Sequence, residues 1–117
     1  MSHVISKFEL EVLESILNQH FQGIEKRDYV SLRVKSREYT SVGGYVNFLN
    51  SHELRLPELG KRELGFNGQL MVPGVPSGLG AIVAVDQGKI KYLELFTYGD
   101  EKWNGETTNL KITSYVC

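Results

Sequence analysis

Residues 6–22 narrow the choice of fold more than any other segment, because they spell a capped helix with one apolar stripe. Ser6 and Glu9 form an S-x-x-E capping box. The Ser6 hydroxyl accepts from the Glu9 amide, and the Glu9 carboxylate reaches back to the Ser6 amide. Ile5 before the cap and Leu10 in the first turn suit a hydrophobic staple. Phe8, Val12, Leu13, Ile16, Leu17 and Phe21 then recur at helical spacing. Glu11, Glu14, Asn18 and Gln22 fall mostly on the other side. Gly23 supplies a residue for a left-handed C-terminal cap. The spacing predicts a helix over 7–22 that needs a sheet to cover.

The period changes to two from Asp28. Val30, Leu32 and Val34 alternate with Ser31, Arg33 and Lys35, which predicts a half-buried strand running to about Thr40. Gly43-Gly44 breaks it as a turn or bulge, and Tyr45–Asn50 resumes an extended pattern. Residues 51–65 are polar and charged and read as a loop, with room for a helical turn after Pro57. Gln69–Val72 is a short strand, and Pro73–Gly78 is turn chemistry. Leu79–Val85 is a nearly continuous apolar run, as in a strand buried on both faces. Asp86-Gln87-Gly88-Lys89 makes a hairpin turn into a partner strand, Lys89–Tyr98. Residues 99–106 form a loop, and Thr107–Val116 closes the sheet. The expected fold is α+β: an N-terminal amphipathic helix packed on a mostly antiparallel sheet of about six strands, with short connections. The 117 residues fit a single domain, 1–117.

Composition excludes little and suggests less. The chain is 41% hydrophobic and 23% charged, ordinary for a globular protein. The one cysteine, Cys117, is terminal and cannot close an internal disulfide, which suits a reducing compartment. The first residues lack an apolar signal-peptide core, and no run approaches the ~18 apolar residues of a membrane span. We therefore expect a cytoplasmic protein with no membrane association. The formal net charge of −1 argues against a nucleic-acid partner. Charge is unevenly placed: residues 25–37 carry a local +3 and residues 86–106 a local −2.

Tests for known chemistry are mostly negative. His3, His20 and His52 have no metal-ligand spacing, so we expect no metal centre. The glycines at 74, 78 and 80 lack a following Lys-Ser/Thr and precede a strand, so they read as turn glycines and not a phosphate cradle. No cofactor is implied. A terminal cysteine makes a poor nucleophile, and there is no Gly-x-Ser-x-Gly elbow. Glu94 stands out, since strand alternation puts it on one face with Ile90, Tyr92, Phe96 and Tyr98. A carboxylate among aromatic side chains is a general acid or base, a ligand anchor, or half of an ion pair with Arg33 or Arg37. Arg37, Tyr39 and Tyr45 flank the double glycine and suit either interface anchors or cross-strand pairs.

Two segments bear on family. Arg37-Glu-Tyr-Thr-Ser-Val-Gly-Gly-Tyr-Val resembles the R-x-[FY]-T-G-x-G-[FY] segment of small bacterial proteins of unknown function. Leu79–Gly99, an apolar strand, a glycine turn and a Leu-Glu strand ending in an aromatic residue and Tyr, resembles their second signature. Ser41 stands where that pattern has glycine, and Trp103 comes later than its Trp-Pro. The resemblance implies an α+β fold and a bacterial cytoplasmic setting, marks Arg37, Thr40, Gly43, Leu93, Glu94 and Tyr98, and implies no activity.

The leading expectation is a non-enzymatic binding protein of the bacterial toxin-immunity type, with a protein toxin as partner. Its expected contacts are Glu94, Asp100, Glu101 and Trp103. The alternative is a small-ligand or enzymatic site where Arg37, Glu94 and Tyr98 converge. A homodimer through a strand edge or the aromatic face is a third expectation.

Overall fold

The computed structural model describes residues 3–21, 32–49 and 61–115. Gln22, Gly23, Asp28, Val30, Ser31, His52, Pro57 and Cys117, which entered the sequence reading, lie outside them. Helix α1 spans Lys7–His20 and ends on Phe21 as its C-cap. Its capping box is formed as expected: the Glu9 amide donates to Ser6 Oγ (3.1 Å) and the Ser6 amide to Glu9 Oε1 (2.8 Å). Phe8, Val12, Leu13, Ile16 and Leu17 form its buried stripe. Each such side chain contributes roughly 1.5–3 kcal/mol through burial, so tertiary packing and not intrinsic propensity holds a helix this short.

The strands are β1 (His3–Val4), β2 (Arg33–Thr40), β3 (Gly43–Phe48), β4 (Lys61–Gly65), β5 (Gly68–Met71), β6 (Leu79–Asp86), β7 (Lys89–Thr97) and β8 (Lys111–Ser114). They make one antiparallel sheet in the order β1-β2-β3-β7-β6-β5-β8, with β4 also pairing β6. The helix lies over one side, covering a layer that includes Val34, Val46, Leu64, Val83, Leu93 and Leu95. Its C-terminal end is tied to the β4–β5 turn. Gln19 donates to the Asn67 carbonyl (2.8 Å) and accepts from its amide (2.9 Å), while the His20 ring meets Gly65 O at 2.8 Å. The helix-on-sheet architecture is therefore the one the sequence implies.

Three details differ. First, the sheet has eight strands among the described residues, because β1 and β4 join it. Residues 61–65 read as loop because only Leu64 of the five is buried. A strand that pairs along one side and keeps charged side chains toward solvent has almost no apolar alternation to detect. Second, the turn between β2 and β3 is Ser41-Val42, and Gly43-Gly44 opens β3. The glycines are needed for close approach. A Cβ on Gly43, whose φ is +142°, would strike the Leu95 carbonyl, and one on Gly44 would strike Tyr39 and the Glu38 carbonyl. Third, β7 carries a bulge. Tyr92 pairs with Ala84 and Ile90 with Val85, leaving Lys91 as the extra residue. That shift turns Ile90 into the core, 3% exposed, and off the face of Glu94. A second bulge in β2 leaves Lys35 extra between Val34 and Ser36. The 86–89 hairpin has positive φ at both Gln87 (52°) and Gly88 (78°), the mirror-image turn that matches strand twist.

Candidate functional site

The two sides of the sheet use polar residues in opposite ways. On the helix side, register places Arg37 in the row Arg37–Val46–Leu93–Val83–Leu64. Arg37 Nε donates to Glu9 Oε2 (2.6 Å) and Nη2 to Glu9 Oε1 (2.8 Å), a two-pronged pair. Nη2 also reaches the Val4 carbonyl (3.1 Å), stapling β1 to the assembly. Glu9 is only 2% exposed. Burial pushes its carboxyl up, but the hydrogen bonds from Arg37 and Ser6 and the Arg37 charge outweigh this and hold it below the usual carboxylate value. Glu9 thus both caps the helix and anchors β2. The sequence showed the first role through local spacing; the second joins residues 28 positions apart.

Trp103 belongs to this side as well. It is 3% exposed, in ring contact with Phe8 (6.0 Å between centroids) and Tyr39 (5.9 Å). Its indole N–H donates to the Glu106 carbonyl (2.9 Å) and its amide to the Ser41 carbonyl (2.8 Å). The expectation that Trp103 meets a partner is corrected: it closes the core and pins the 99–110 segment to the β2–β3 turn. Glu101 also has an internal task. It accepts from the Ser77 amide at 2.8 Å, which holds the 73–78 turn and lowers the Glu101 carboxyl. Asp100 is exposed on the turn just after β7.

Among the described residues, no helix covers the other side of the sheet. Two rows cross it: Glu38–Tyr45–Glu94–Ile82–Gly65 and Ser36–Asn47–Tyr92–Ala84–Glu63. Tyr45 and Tyr92 meet edge to face, 5.4 Å between centroids. The Tyr92 hydroxyl donates to Glu63 Oε2 (3.1 Å), and Asn47 Nδ2 to Glu38 Oε2 (3.0 Å). The neighbouring carboxylate of Glu94, above all, raises the Tyr45 phenol; burial and the Glu63 carboxylate raise Tyr92. Phe96 lies over Gly80, where a Cβ would strike its ring, and packs edge to face on Tyr98 at 5.7 Å. Tyr45 and Tyr98 stay 42% and 47% exposed. At the end of the face next to the 86–89 hairpin, two open clefts meet at Lys91 and Tyr92. One is bordered by Lys35 and Glu38, the other by Lys61 and Glu63.

Of the residues singled out from sequence, Glu94 and Tyr98 share this open face with Tyr92 and Phe96. Arg37 does not. Tyr45, the direct partner of Glu94, follows the row of Arg37 by one residue, so Arg37 and Glu94 lie on opposite faces. The expected convergence of Arg37, Glu94 and Tyr98 is therefore not formed, nor is an Arg37–Glu94 ion pair. Tyr45, Glu38 and Glu63 complete the face; Glu63 was hidden because β4 read as loop. Among the described residues, no three of His, Cys, Asp and Glu come together as a metal-holding group, and no helix is long and apolar enough to cross a membrane.

No family model matches this chain, no curated protein is similar to it, and no solved structure matches its fold.

Proposed function

We propose that the chain is a non-enzymatic protein-binding domain of the bacterial toxin-immunity type, acting in the cytoplasm and docking a partner protein on the open face of its sheet. The observation that carries this reading is the make-up of that face. Among the described residues, one whole side of the sheet has no helix over it, and it presents Tyr45, Tyr92, Phe96 and Tyr98 among Glu38, Glu63 and Glu94. Tyrosine gives a rigid contact of large area with a polar tip, the side chain most used at interface centres. Carboxylates around it speed the approach of a basic partner and fix its register. Asp100, just after β7, extends the same charge. The catalytic alternative is set aside because the sheet itself separates Arg37 from Glu94.

The test is co-expression of the full chain with the product of a neighbouring toxin gene. The expected result is rescue of growth and a complex that co-purifies, both lost when Tyr92 and Glu94 are replaced together by Ala. Absence of rescue together with no co-purifying protein overturns the proposal.

A further inference from the structure

The segment that carries Trp103 also holds a reactive pair. Asn104 and Gly105 are the two residues between Trp103 and Glu106, and the Trp103 indole closes that span by donating to the Glu106 carbonyl (2.9 Å). Both are exposed. An asparagine side-chain amide is open to attack by the main-chain nitrogen of the next residue, and glycine brings no side chain to shield that nitrogen. Gly105 has φ +85° and open space where a Cβ would sit. The Glu106 amide donates to Asn104 Oδ1 (2.9 Å). This bond fixes the side chain over the turn and aims a donor at the oxygen that gains charge during attack. Among the described residues, neither the Asn104 carbonyl nor the Gly105 amide has a hydrogen-bond partner, so the peptide between them can turn toward the side chain. A second Asn-Gly pair, Asn67-Gly68, is held fast. The Asn67 carbonyl accepts from Gln19 Nε2 (2.8 Å) and from the Tyr115 amide (3.0 Å), and its amide donates to Gln19 Oε1 (2.9 Å).

We propose that Asn104-Gly105 is a self-modification site, at which Asn104 converts to aspartate and isoaspartate and the isoaspartate form loosens Trp103 from the covered face. The Gly105 nitrogen gives its proton to hydroxide and attacks Asn104 Cγ, placing negative charge on Oδ1. Collapse breaks the Cγ–Nδ2 bond, and Nδ2 takes a proton from water and leaves as ammonia. The five-membered imide then takes up one water. Opening at Cγ gives aspartate; opening at the Asn104 main-chain carbonyl gives isoaspartate. One water enters, one ammonia leaves, and nothing is oxidised or reduced. The two products differ in consequence. Aspartate keeps an oxygen for the Glu106 amide and an unaltered main chain. Isoaspartate routes the main chain through Cβ and Cγ, which adds one carbon, about 1.5 Å of chain, between Trp103 and Glu106. Trp103 is pinned on its other side by its amide bond to the Ser41 carbonyl (2.8 Å), so the added length falls on the indole bond to Glu106. The site is independent of whatever docks on the open face.

The experiment is incubation of the full chain in mildly alkaline buffer at physiological temperature, with peptide mapping by mass spectrometry. Cleavage after Lys and Arg separates the two pairs, Asn67 in peptide 63–89 and Asn104 in peptide 103–111. Conversion adds about 1 Da, and fragmentation places it at Asn104 and not at Asn109. Asn104 is expected to convert at least ~tenfold faster than Asn67, since its peptide is free to reach the attacking geometry. The rate rises with pH, because base must take the Gly105 proton. Trp103 is the one tryptophan of the chain, so indole emission reports on this site alone. The emission shifts to longer wavelength as isoaspartate accumulates. Fresh Asn104→Asp emits like the wild type, and Asn104→Ser keeps its emission throughout the incubation. An unchanged Asn104, or equal conversion at the two pairs, overturns the proposal. So does emission that stays fixed while isoaspartate accumulates, or that shifts to the same extent in Asn104→Ser.

Discussion

The covered and open faces of this sheet contain the same chemical ingredients, a glutamate beside aromatic rings, and put them to different use. On the covered face, Glu9 is 2% exposed, gripped by both prongs of Arg37, and lies beside Tyr39, whose ring packs on Trp103. On the open face, Glu94 is half-buried between Tyr45 and Ile82, with Tyr92 and Phe96 along its strand. Burial decides the difference. A carboxylate taken fully out of water must be met by a fixed cation and donors, or it does not stay charged. A carboxylate at a half-wet surface carries no such demand, and a neighbouring phenol such as Tyr45 is partner enough. The covered glutamate is thus a structural part, and the open one is the recognition part in the function proposed above. That contrast should appear directly in the cost of changing each face.

Trp103→Ala should show the largest loss. Its ring contacts with Phe8 and Tyr39 and its indole hydrogen bond to Glu106 all go, and the 99–110 segment loses its anchor. Truncating a buried aromatic of this size costs ~3–5 kcal/mol, which urea unfolding would register as a lower midpoint. A loss under 1 kcal/mol would mean that Trp103 is not the closing piece of the covered face. Tyr98→Ala, which removes an aromatic ring packed on Phe96 but 47% exposed, is the comparison on the open face and should cost far less.

Arg37→Ala comes next. It leaves the Glu9 carboxylate buried without its cation, a change that costs ~3–5 kcal/mol when both partners are fully buried. The Arg37 side chain keeps 30% exposure, so we expect the lower end of that range. The same pair sets a pH response. The folded Glu9 carboxyl is held below its unfolded value of about 4.3, so its contribution is complete above that pH. It is lost as pH falls through the depressed folded value, where the proton binds the native state too. Wild-type stability should therefore decline on acidification below about pH 5. Glu9→Gln should be less stable at neutral pH and should show a shallower acid decline. Equal acid slopes for the two chains would show that Glu9 is not the controlling group.

How much of this contrast could be read from the sequence depended on the range of each interaction. The helix cap, the stripe from Phe8 to Leu17 and the 86–89 hairpin depend on neighbours within a few positions, and spacing alone displayed them. The placement of Arg37 depended on register across three strands, and a one-residue error there exchanges the faces. Lys91 as a bulge had no sequence signature, so Ile90 was assigned to the wrong face. Trp103 lies in a polar, glycine-containing segment that resembles a surface loop; its burial comes from a return path over the β2–β3 turn that no local pattern encodes. Glu94 was found because alternation along β7 holds from Tyr92 to Phe96, beyond the bulge.

The smallest effect sharpens the comparison most. Glu94→Gln keeps the size and shape of the side chain and removes only the charge. If Glu94 serves recognition and not folding, the dilute protein should change in stability by no more than about 0.5 kcal/mol, as at a surface position without a structural task. Thermal melts at low concentration would measure it. A loss of 2 kcal/mol or more would place Glu94 with Glu9, as a structural carboxylate, and erase the distinction between the faces. A neutral result alone is weak support, since many surface residues give it. Its force comes from pairing it with titration of the Tyr45 phenol. The Glu94 charge is the largest cause raising that phenol, so glutamine at 94 should bring it back toward its ordinary value. A change of titration at an unchanged melting point would show that the charge of Glu94 acts across the open face while contributing little to the fold.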